Sequence, residues 1–121
     1  MNDIFEDILK ITNTEFGDIV KTVFFVNYKI RIILIDKSFV DVGISKRIDG
    51  RFSFHWECKD EKIFRYDNFP DGEWSNVDTF PFHFHNGSQD NVDASPFSTD
   101  EISGFREFMG FIKKRLQDCC E

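Results

Sequence analysis

A chain of 121 residues supports one compact domain, spanning residues 1–121, and is short for two. At 40% hydrophobic and 31% charged it is globular in composition, and sixteen phenylalanines supply core volume and favour strands. A net charge of −7, from 22 acidic and 15 basic residues, excludes whole-surface attraction to nucleic acid; RNA binding needs a local cationic spot, and the acidic surface otherwise suits a basic partner.

Ile4, Ile8, Leu9 and Ile11 recur at helical spacing and predict a first helix capped by Asn2 or Asp3, with Asn13 and Gly17 breaking the pattern. This acidic N-terminus does not read as a secretory signal, and the longest apolar stretch, residues 30–35, is too short to span a membrane, so the expected location is cytoplasmic. Cys58, alone, and the adjacent Cys119 and Cys120 read as free thiols rather than a disulfide framework or metal cluster.

From Val20 the hydrophobic period shifts toward two. Residues 23–28, 29–36 and 39–48 read as strands, the first two either separate or continuous. Asp36-Lys37-Ser38 is a hairpin break, and Asp49-Gly50 is a hairpin turn signal. Residues 51–58 and 62–67 follow as strands, then a loop over 68–78, a strand over 80–85 and a second loop over 86–97. Ser98 with Glu101 forms a capping box for a last helix. Its apolar stripe is Ile102, Phe105, Phe108 or Met109, Ile112 and Leu116, and Lys113, Lys114 and Arg115 suit its C-terminal dipole. The predicted fold is α+β: an antiparallel meander of about five to six strands with an N-terminal and a C-terminal helix on one face.

Alternation across the strands sorts the side chains. Phe52, Phe54 and Trp56 oppose Ser53, His55 and Glu57; Phe64 and Tyr66 oppose Ile63, Arg65 and Asp67; Phe80, Phe82 and Phe84 oppose His83 and His85. If these strands are neighbours, His55, Arg65, Asp67, His83 and His85 share the face away from the core. Residues i and i+2 of a strand lie roughly 6–7 Å apart, so His83 and His85 can bracket one phosphate or one metal. As an acid–base pair, a neutral histidine takes a proton from a 2′-hydroxyl and a protonated one gives a proton to the leaving 5′-oxygen. Arg65 then holds the phosphate and Asp67 orients an imidazole. Alternatively these are ordinary polar residues on a solvated face, with Arg65 and Asp67 a same-face ion pair. Two histidines and Asp67 could also make a two-His-one-carboxylate metal site; the acid–base reading is the favoured one and needs neither metal nor cofactor. Trp74, in the loop, is a candidate exposed contact.

His55-Trp56, then Phe64-Arg65-Tyr66-Asp67-Asn68, then residues 79–88 with Phe80-Pro81-Phe82-His83-Phe84-His85, and Ser95-Pro96-Phe97 before the last helix, together resemble the TumE family of toxin–antitoxin proteins. The resemblance covers residues 52–112 and departs from the family pattern at Asp71 and Phe82, where relatives often carry histidine. It implies a small toxin, encoded beside a helix-turn-helix antitoxin and acting on RNA or translation. RNA and a second copy of the chain are further candidate partners. The expected function is thus a toxin-type, metal-independent endoribonuclease with His83, His85, Arg65 and Asp67 as catalytic and His55, Asn68 and Trp74 as binding residues. The alternatives are a non-catalytic acidic protein that binds a protein partner, and a divalent-metal-binding protein.

Overall fold

The computed structural model describes residues 4–119. The caps expected at Asn2 or Asp3 and the thiols of Cys119 and Cys120 lie outside the described part; Cys58 is free and half-buried, and burial pushes its thiol up to about 12. The element order is α1 (Ile4–Glu15), β1 (Val20–Val26), β2 (Lys29–Leu34), β3 (Phe39–Ile44), β4 (Phe52–Glu57), β5 (Ile63–Asp67), a 3-10 turn (Gly72–Trp74), β6 (His83–Gly87), β7 (Val92–Ala94) and α2 (Glu101–Cys119). The strands form one antiparallel sheet in sequence order, so the fold is α+β with a seven-strand meander. Among the described residues no helix is long and apolar enough to cross a membrane.

The core face is continuous across the ladders. Ile30, Val42, Phe54, Tyr66 and Phe84 pair strand to strand, as do Ile32, Val40, Trp56 and Phe64, and all are buried. Helix α2 lays Phe105, Phe108, Met109, Ile112 and Leu116 on this face, and α1 adds Phe5, Ile8 and Ile11. The helices meet through Arg106 on Glu15, and Lys113 reaches Asp18, 2.8 Å each.

Local chemistry adjusts several expected boundaries. Helix α1 runs through Asn13 and ends at Glu15, because Thr12 is still buried and its hydroxyl donates to Ile8 O. β1 and β2 are separate strands: Asn27 and Tyr28 both take positive φ, 49° and 67°, which is how a two-residue turn reverses the chain in step with strand twist. β3 ends at Ile44, and Gly50 (φ 82°) serves a longer loop closed by the Ser45 N–H on Arg51 O. β6 starts at His83 rather than residue 80. Pro81 follows a cis peptide and has no N–H to give a ladder, while the Phe80 and Phe82 N–H groups donate into turns to Val77 O and Thr79 O. Phe80 is therefore 37% exposed, Phe82 packs partly against the core, and Phe84 is fully in it. β7 emerges from the expected loop over 86–97. The cap of α2 is Asp100, which accepts from the Ser103 N–H at 2.9 Å; Ser98 instead donates its N–H to Glu107. The helix continues to Cys119, so the basic trio at 113–115 precedes its last turn, and Arg115 lies over the Phe64 ring instead.

One contact seats α2. The Tyr66 hydroxyl donates to Ser98 O at 2.7 Å, and Gly104 leaves room for it: a Cβ there would stand 2.7 Å from Ser98 O and 3.1 Å from the Tyr66 ring. Helix propensity would return up to about 1 kcal/mol to Gly104→Ala, but the overlap is with backbone and costs about 1–3 kcal/mol. Urea denaturation of Gly104→Ala should therefore show a net loss of up to about 2 kcal/mol, seen as a lower midpoint with unchanged slope.

Candidate functional site

The face opposite the helices is built from two cross-strand rows. Arg31, Asp41, His55, Arg65 and His85 are successive partners across β2 to β6, and Gly43, Ser53, Asp67 and His83 form the row beside them. The histidines, Arg65 and Asp67 expected to share a face do so, and all three histidines lie on it. The face is not simply solvated. His83, His85 and Asp67 are only 2%, 1% and 3% exposed, because residues 68–82 fold back across the end of the sheet. Asp71 accepts from the Glu73 N–H and starts the 3-10 turn, which sets the half-buried Trp74 ring edge-on to His85, centroids 5.9 Å apart. Ser53, Arg65, Phe69, Trp74 and Gln89 help to line a pocket of ≈ 280 Å³ over the histidines.

Arg65 is the hub of this pocket. Its Nε donates to Asp67 Oδ2 at 3.2 Å, Nη1 reaches His55 Nδ1 at 3.3 Å, and Nη2 reaches His85 Nε2 at 3.2 Å and Gln89 Oε1. Asp67 also accepts from the Phe69 N–H at 3.0 Å and faces His83 Nε2 at 3.1 Å. The two histidines differ. His85 Nδ1 lies 2.9 Å from Gln89 O, and a carbonyl only accepts, so that nitrogen carries the hydrogen. Its Nε2 is then a lone pair, matched to the Arg65 donor. His83 has acceptors on both sides, Pro81 O at 3.0 Å and the Asp67 carboxylate.

The three donor atoms of Asp67, His83 and His85 lie within 4.8 Å of one another, close enough to share one divalent cation. The Arg65 guanidinium already meets Asp67 and the His85 lone pair at that spot, so the charge a metal would bring is supplied by the protein.

Of the expected binding residues, Trp74 lines the pocket and His55 lies one strand away, with Arg65 on one side and Glu57 on the other. Asn68 sits at the edge as a brace: its side chain accepts from the Phe52 N–H at 2.9 Å and donates to Gly50 O at 2.6 Å. Gln89, which holds both Arg65 and His85, was not foreseen, since a glutamine in a polar loop carries no sequence signal; Phe69 could have been suspected from its place beside Asn68.

Residues 5–116 match the family model described as Toxin TumE, and the chain belongs to that family. It is thus the toxin component of a toxin–antitoxin system, with a cognate antitoxin as partner. No match is found among curated proteins or solved structures.

Burial holds His85 and His55 below the ordinary imidazole value, with the Arg65 charge adding to the effect. Unfolding frees both to bind protons, so their contribution to stability is complete above about pH 6.5 and declines as pH falls through the interval down to their folded values. Thermal melts at descending pH should show the melting temperature dropping below pH 6.5, and a His55→Gln, His85→Gln double variant should show a flatter profile there.

Proposed function

We propose that the pocket over β5 and β6 cleaves RNA, with Arg65, Asp67, His83 and His85 as its working groups. The observation that carries this reading is the unequal pair of histidines beside a cation that can hold a phosphate. His85 is kept neutral by burial and by the Arg65 charge, against the opposing pull of its hydrogen bond to Gln89 O; that bond keeps the hydrogen on Nδ1 and leaves Nε2 as the base. A phosphate that takes up the Arg65 donors exchanges two long contacts to imidazole nitrogen for charge-assisted bonds, and this frees the His85 lone pair. His85 then accepts the 2′-hydroxyl proton as that oxygen attacks the adjacent phosphorus. The bond from phosphorus to the 5′-oxygen breaks, and a protonated His83 gives its Nε2 hydrogen, held at rest by Asp67 Oδ1 3.1 Å away, to the leaving oxygen, while Nδ1 stays on Pro81 O. The products are a 2′,3′-cyclic phosphate and a free 5′-hydroxyl. Asp67 fixes His83 and the Arg65 fork, and Trp74 offers a ring against which a base can stack.

The reading places the protein in the cytoplasm, with a helix-turn-helix protein as its antitoxin. Induced expression of His85→Ala or Arg65→Ala should relieve growth arrest while circular dichroism stays native. RNA cleavage by the purified His85 variant should fall by about 10²–10⁴, the usual share of one general acid or base, and a chelator should leave the unsubstituted protein active. Undiminished toxicity of both variants would reject the proposal; loss of cleavage with chelator would replace it by the metal arrangement.

A further inference from the structure

Beyond the pocket, the same face carries a groove that the chemistry above does not use. The row containing Asp67 and His83 continues into Ser53 and Gly43, whose small side chains leave the sheet surface low. A cleft of ≈ 740 Å³ opens there between the β1–β2 turn and the loop over residues 45–51. It shares Ser53 and Phe69 with the histidine pocket, so the two form one depression. A third hollow, ≈ 450 Å³, joins both through Ser53 and carries Lys29 and Arg31 together with Asp41 and Glu57.

The groove differs in charge from the rest of the molecule. On a chain of net charge −7, its lining includes Lys29, Arg47 and Arg51 and no acidic residue. Lys29 is taken by Asp41 at 2.9 Å. Arg51 lies over the Phe69 ring, 5.3 Å from its centroid, and Arg47 is exposed. Two exposed rings share the lining with these cations: Tyr28 is 90% exposed and Phe69 46%. Guanidinium groups beside exposed rings, leading toward Arg65, are what a single-stranded nucleic acid needs, since its backbone follows the charges and its unpaired bases stack on the rings. A duplex hides those base faces. Asn68 ties the groove to the pocket, because its side chain joins the start of β4 to Gly50 and so fixes where Arg51 and Phe69 stand.

We infer that this groove is the binding track for single-stranded RNA, with Arg47 and Arg51 as phosphate contacts and Tyr28 and Phe69 as stacking platforms leading the strand to Arg65. The inference rests on the RNA reading of the pocket and adds the substrate class and four residues to it. The protein carrying His85→Ala can be titrated with a short fluorescein-labelled single-stranded RNA and with the matching duplex, by fluorescence anisotropy over a range of salt. The single strand should bind more tightly than the duplex. Arg47→Ala with Arg51→Ala should lower the slope of log affinity against log salt by about 1.4, roughly 0.7 for each phosphate contact. Tyr28→Ala or Phe69→Ala should weaken binding by about five- to a hundred-fold with little change of slope. All four side chains are exposed or half-buried, and circular dichroism checks the fold of each variant. Equal binding by the double arginine variant, or equal affinity for the duplex, overturns the groove while leaving RNA as the target of the pocket. No RNA binding by any form overturns both, and an arrest that still depends on Arg65 would then turn the pocket to another substrate.

Discussion

The site depends on one buried carboxylate. Asp67 is 3% exposed and faces three donors from three directions: Arg65 Nε, the Phe69 N–H and His83 Nε2. A lone carboxylate at this depth would be costly, since desolvation is not recovered without partners. The partners it requires are the parts of the site. Arg65 is drawn flat along the sheet toward it, which aims the other two arms of the guanidinium at His55 and His85. The Phe69 N–H turns the chain at the end of β5 and starts residues 68–82 on their way back over the histidines. Removing the charge would unfasten the arginine fork, the lid and His83 together.

That constraint also explains how an acidic protein keeps a cationic site. The net charge of −7 is a property of the whole surface. Along one row of the outer face, Arg31, Asp41, His55 and Arg65, the one acid lies beside a base, and Asp41 is held below its usual range by Arg31 and Lys29 despite the opposing effect of its burial. Asp41, the acid of this row, is matched by Arg31 and Lys29, so the charge near Arg65 and Arg51 differs from the average of the molecule. Net charge excludes diffuse attraction to nucleic acid, but it does not describe a groove about three strands wide.

Much of this arrangement was legible in the residues. A period of two from Phe52 to Asp67 places aromatic groups on one face and His55, Arg65 and Asp67 on the other, and the observed register makes them direct cross-strand neighbours. What stayed hidden is what periodicity cannot encode. The lid over the histidines comes from a loop rich in Asn, Pro, Asp and Gly, whose course is set by side-chain hydrogen bonds such as the cap at Asp71. β7 is three half-exposed or exposed residues paired to an edge, too short and too polar to leave a pattern. Phe80 follows the alternation in sequence, yet it lies in a turn that Pro81 closes before the ladder begins. Asn27-Tyr28 divides an apolar run because two residues adopt positive φ, for which tyrosine gives no warning.

The two positions where the resemblance leads one to expect histidine, Phe82 and Asp71, can be placed on this framework. Phe82 does not face the pocket; it packs near the rings of Phe52 and Tyr66, centroids 6.1 and 6.3 Å away, on the helix side of the sheet. Asp71 lines the pocket, but its carboxylate is turned to the backbone, where it caps the 3-10 turn that carries Trp74 to His85. An imidazole at position 71 could accept the same backbone hydrogen, though a short carboxylate suits the cap better. In this chain position 71 therefore shapes the lid, while the imidazoles of the pocket are those that Asp67 and Gln89 hold in place. The cross-strand row of Arg65 and His85, and the pairing of Asp67 with His83 beside it, are complete with Asp71 and Phe82 as they stand.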